Sequence, residues 1–142
     1  MSSRLRPTRS TKPRTVVRIL LGAAITWAGI SHLTVARQEF RAQVPEFVPL
    51  DPDVTVLASG IAEISIGAAL VLLVRRQATV GWVAAVFFAA VFPGNIAQWL
   101  HHRDGFGLDT DTKRFVRLLF QPVLIAVALW ATNALRTGRR GR

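Results

Sequence analysis

Four apolar runs, separated by polar and charged segments, organise this chain. They cover residues 16–36, 54–74, 78–100 and 115–135. Each is close to the ~20 residues that a helix needs to cross a hydrocarbon layer ~30 Å thick. Inside lipid the backbone N–H and C=O groups must be satisfied within the segment, so each run predicts a helix. The expected fold class is an all-α membrane protein, a four-transmembrane-helix bundle spanning residues 16–135. Residues 1–15 and 136–142 are basic tails: the first is expected to be disordered, being too polar to bury a core, and the second mobile. The first run is too long for the apolar part of a signal peptide, and no small-x-small cleavage pattern follows it.

The connectors differ in character. Residues 37–53 carry Pro45, Pro49 and Pro52, which prevent a continuous helix, while Val44, Phe47, Val48 and Leu50 suit the membrane interface. In the third run Pro93 frees the carbonyl of Ala89 and predicts a kink. Residues 101–114 read as a polar loop. Its Asp104, Asp109 and Asp111 are only partly like a calcium loop, since the terminal Glu of an EF-hand is missing. Pro122 predicts that the fourth helix becomes regular close to it or bends there.

Composition supports a membrane protein: of 142 residues, 51% are hydrophobic, and mean hydropathy is +0.35. The absence of cysteine removes disulfides, thiolate nucleophiles and cysteine-held metal clusters, and no metal site is expected. A net charge of +10 raises nucleic acid as a partner, but that reading requires a basic face on a soluble scaffold. Here the cations lie between and outside the apolar runs, so the lipid bilayer is the expected partner and nucleic acid is not. Twelve of the Lys and Arg residues fall on the side of the two termini and six on the other, which predicts a cell-membrane protein with both termini cytoplasmic.

Glu63 is the residue that needs explaining. It is an ionisable side chain inside an apolar run, costly enough at mid-membrane to be turned inward, paired, or both. On a helical wheel it clusters with Gly60 and Gly67 within about 60°, and Gly22, Gly29 and His32 fall within about 80° on the first helix. With alternating helix direction, His32, Glu63, Asn95 and Gln121 all lie in the outer half of the membrane, one from each helix, and form a candidate polar pocket. Singly, Asn95 and Gln121 read more readily as packing contacts. For Glu63 the partner is His32 or Arg37, or else the carboxyl is neutral through desolvation. A Glu–His pair can relay protons. His101 and His102 lack supporting ligands and read as loop residues.

The motifs resemble the DoxX family of small four-helix membrane proteins, from about Leu20 to Leu135. They are Gly29-Ile30-Ser31-His32, Val44-Pro45, Val48-Pro49, Ser59-Gly60-Ile61-Ala62-Glu63 with Gly67, Phe92-Pro93-Gly94-Asn95-Ile96, and Gln121 with Leu124-Ile125. Leu33 and Leu119 depart from the family pattern. The resemblance implies a redox association, since the family takes its name from a membrane subunit of a thiosulfate:quinone oxidoreductase and some members are linked to thiol-redox partners. It transfers no catalytic residues.

Three functions follow as expectations. The first is a membrane subunit of a quinone-linked or thiol-linked redox system, with quinone as the candidate cofactor and redox proteins as partners; without cysteine or a flavin motif, the chain is not an autonomous electron carrier. The second is a non-catalytic scaffold or assembly protein. The third is a small transporter or lipid-binding protein, for which a homo-oligomer supplies a path that one four-helix unit lacks.

Overall fold

The computed structural model describes residues 10–35, 40–41, 44–103 and 109–137. The described residues form helices, with no strand among them: α1 (Lys12–Leu33), α2 (Pro52–Leu72), a 3-10 turn (Val74–Arg76), α3 (Gln77–Leu100), α4 (Asp111–Ala131) and a short α5 (Ala134–Thr137). The four long helices have 21 to 24 residues and are long and apolar enough to cross a membrane. Large apolar side chains such as Leu20, Trp27, Ile61, Val86 and Phe120 point outward. The core between the helices is built from Leu21, Ile25, Ile66, Leu70, Val80, Ala84, Phe88 and Ala128.

Two antiparallel pairs make the bundle, α1 along α2 and α3 along α4, with a looser seam where the pairs meet. The α1–α2 contact is nearly backbone on backbone. A Cβ built on Gly29 would sit 2.6 Å from the Gly60 carbonyl oxygen and 2.9 Å from the Ile64 nitrogen, and one on Gly22 would sit 2.8 Å from the Gly67 oxygen. Small residues permit this approach, the usual basis of helix association where apolar burial offers no preference over lipid. On the other pair Gly81 is closed over by Thr132, whose hydroxyl donates to Ala128 O at 2.7 Å.

Several boundaries differ from expectation, each for a physical reason. α1 begins at Lys12, so residues 12–15, expected in a disordered tail, are helical. Pro13 is tolerated in the first turn, and Arg14 and, one turn on, Arg18 are anchored. Arg14 donates to Asn133 Oδ1 and lies 5.1 Å from the Trp130 ring. Arg18, 3% exposed, donates to the carbonyls of Leu70 and Val71, which end α2 without helical partners. Residues 1–9 and 138–142 of the expected tails lie outside the described residues. α4 begins at Asp111, inside the expected polar loop, because the Thr110 hydroxyl caps Lys113 N at 3.2 Å. Pro122 is therefore mid-helix, and the start of α4 is not near it. α4 ends at Ala131, before the expected Leu135, where Asn133 adopts φ 58°, a left-handed conformation that Asn accommodates. α3 continues through Pro93 to Leu100.

The α1–α2 and α3–α4 connectors are tied to one another. Arg41 clamps Asp53 through two contacts at 2.7 and 2.5 Å, and Arg103 donates to Val44 O at 2.8 Å and Glu46 Oε1 at 3.0 Å. Lys113, bonded to Asp109 at 2.8 Å, holds that carboxyl below its ordinary pKa. Residues 104–108, with the expected loop residue Asp104, lie outside the described residues.

Replacing Gly29 by Ala should destabilise the bundle by about 1–3 kcal/mol, because the neighbour in the way is backbone. Outward-facing Ala23→Leu should stay within about 0.5 kcal/mol. Thermal unfolding in mild detergent measures both; equal effects would contradict the backbone contact.

Candidate functional site

All four helices contribute to one cavity of about 430 Å³, within the range of small-molecule sites. Its walls include His32 from α1, Ser59 and Glu63 from α2, Phe88, Val91 and Asn95 from α3, Arg117 and Gln121 from α4, and Phe40 from the connector. The four polar residues singled out in the sequence therefore line a common space. Arg37, the other suggested partner of Glu63, lies outside the described residues.

Local geometry places His32 beside Glu63. Gly60, one turn before Glu63, lets the α1 backbone close in, and a Cβ there would meet His32 Cβ at 2.8 Å. His32 Nδ1 lies 2.9 Å from Ala28 O and 2.7 Å from Glu63 Oε2. A carbonyl oxygen only accepts, so the bond to Ala28 O is made by the tautomer with its proton on Nδ1, directed along its own helix. The carboxylate oxygen is in ion-pair range without an aligned hydrogen bond, and Oε2 has no hydrogen-bond partner among the described residues. The His32 ring stacks on Phe40, centroids 3.3 Å apart.

A second chain of bonds links α3 to α4. Gln121, 2% exposed, donates through Nε2 to Phe88 O at 2.7 Å. That carbonyl fixes the orientation of the amide and turns Oε1 toward Asn95, whose Nδ2 donates to it at 3.3 Å. Arg117 Nη1 donates to the same oxygen at 3.4 Å. With its amide oriented in this way, Asn95 keeps one atom unsatisfied, Oδ1, in a residue 4% exposed.

A neighbouring chamber of about 280 Å³ shares His32, Phe40, Ser59 and Val91 with the cavity. Its other walls are mainly apolar: Val44, Pro45, Phe47 and Val48 from the connector, Val56 from α2, and Phe87 and Pro93 from α3. The connector forms its roof, held there by Arg103.

A family model described as Domain of unknown function (DUF8561) matches residues 21–132. The chain belongs to the DUF8561 family. The matched stretch contains every residue that lines the polar cavity of this DUF8561 chain. No curated protein matches the chain, and no solved structure does.

Arg117 is the cavity residue that the sequence alone did not bring forward, because it was counted among the charges of the outer side. Its signal was spacing: it stands four residues before Gln121 and so shares a helix face with it. Both residues lie inside the expected fourth helix, so the shared face was already readable there. Ser59, four residues before Glu63, follows the same rule.

In this DUF8561 bundle Gln121→Leu removes the donor to Phe88 O and strands the amide of Asn95, so it should cost about 1–3 kcal/mol. Asn95→Leu, which gives up one long bond and an unpaired oxygen, should cost less. Denaturation midpoints of the two variants in detergent check the order.

Proposed function

We propose that this chain is a DoxX-like multi-pass protein of the cell membrane, both termini cytoplasmic, acting as a membrane subunit of a quinone-linked redox system. The observation that carries this reading is the 2.7 Å approach of His32 Nδ1 to Glu63 Oε2 on the wall of a cavity about 430 Å³ in size. A protonatable pair at such a site can hold and pass a proton. The cavity suits the head of a lipid-soluble ring: polar groups from all four helices, aromatic walls at Phe40 and Phe88, and an apolar chamber alongside. A bound quinone would supply the electron chemistry, with Arg117 donating to its head and Asn95 and Gln121 lining the same wall. Thiol chemistry, with no cysteine in the chain, belongs to a partner. The basic residues at both ends support the orientation.

A non-catalytic scaffold is the second reading, favoured by the Gln121 bonds that fasten α3 to α4. A fastener, however, needs neither an open cavity nor a buried carboxylate left without an aligned donor.

Gentle detergent purification followed by mass spectrometry of co-purifying small molecules should recover a quinone in stoichiometric amount; bulk lipid alone would sink the redox reading. In lipid nanodiscs, Glu63→Gln should slow proton uptake on dithionite reduction of the bound quinone by roughly tenfold or more. An unchanged rate in a folded variant would remove the relay.

A further inference from the structure

We infer that the cavity is built for the reduced, hydroxyl-bearing form of its ligand, an aromatic diol with an apolar tail, in preference to the oxidised dione. This rests on the proposed reading of the cavity as a site for an amphiphile, the head of a lipid-soluble ring with its apolar tail in the chamber alongside, and adds the chemical state of the head.

The basis is the sign of what is left unsatisfied. Two side chains lining the cavity keep a buried polar atom without a hydrogen-bond partner among the described residues, Glu63 Oε2 and Asn95 Oδ1, and both atoms are acceptors. Neither assignment is arbitrary. In the tautomer that bonds Ala28 O, the His32 Nδ1 proton points along α1, and Glu63 Oε2, 2.7 Å from that nitrogen, has no aligned donor. Phe88 O orients Gln121, Gln121 Oε1 orients Asn95, and the oxygen of Asn95 is what remains.

A buried acceptor without a donor destabilises the empty site, and a ligand that brings O–H groups removes that cost. A dione head offers only acceptors, so it can accept from Arg117 but supplies no donor to either of these oxygens. The terminal torsions of Asn and Glu are soft, so a modest rotation brings either oxygen to a donor in the cavity. Phe40 and Phe88 offer faces and edges to an aromatic ring, and the apolar chamber beyond the His32–Phe40 stack takes the tail.

Four probes test this on the full chain in detergent without oxygen: a decyl benzohydroquinone, the corresponding benzoquinone, the dimethyl ether of the hydroquinone, and a monoacylglycerol of similar tail length. Calorimetric titration should give a dissociation constant for the hydroquinone about tenfold or more below that of each of the others. Asn95→Leu should shrink the advantage over the quinone and the ether. If that variant fails to fold, the wild-type ratios decide the matter unaided. Equal or tighter binding of the quinone or the ether would overturn the inference while leaving the amphiphile site standing. Tighter binding of the monoacylglycerol would overturn the aromatic diol. Binding of none of the four would overturn both the inference and the amphiphile reading.

Discussion

The close approach of the α1 and α2 backbones is the constraint on which the site depends. Gly22, Gly29, Gly60 and Gly67 let carbonyl and amide groups of one helix stand where side chains would otherwise separate them. In a membrane this packing supplies association energy that apolar burial does not, since lipid is as apolar as leucine. It also sets distances: with Gly60 against the His32 Cβ, the imidazole has little choice but to lie beside Glu63, one turn further along α2.

The second half of the site is held by hydrogen-bond polarity rather than by contact. A helix carbonyl can only accept, so Phe88 O dictates the orientation of the Gln121 amide, and that in turn dictates the orientation of Asn95. The same one-way logic runs from Ala28 O through His32. Both chains end at an oxygen with no aligned donor among the described residues. The cavity lies in the seam between the helix pairs, where packing is loosest, and these ends converge on its walls.

Charge at the helix ends keeps this arrangement in register. Arg18 satisfies the open carbonyls at the end of α2, Arg14 ties the start of α1 to the turn after α4, and Arg103 fixes the connector over the apolar chamber. These arginines hold individual backbone or amide oxygens, a more specific use of charge than the bias of cations toward one side of a membrane.

The number of long helices, the glycine faces and the four polar residues of the cavity were legible in the sequence, because an apolar run of bilayer length and a 3.6-residue period leave few alternatives. Helix ends were not. The starts of α1 and α4 depend on caps and on arginine contacts with residues more than fifty positions away, as with Arg18 and Leu70, and no local pattern encodes those partners. Arg117 was passed over for a different reason: a cation near a helix end reads as an orientation charge until the cavity shows what it faces. Sequence alone picked out which polar groups share one cavity. Only the tertiary structure decided which atoms of those groups are satisfied, because hydrogen-bond direction is set by neighbours on other turns and other helices.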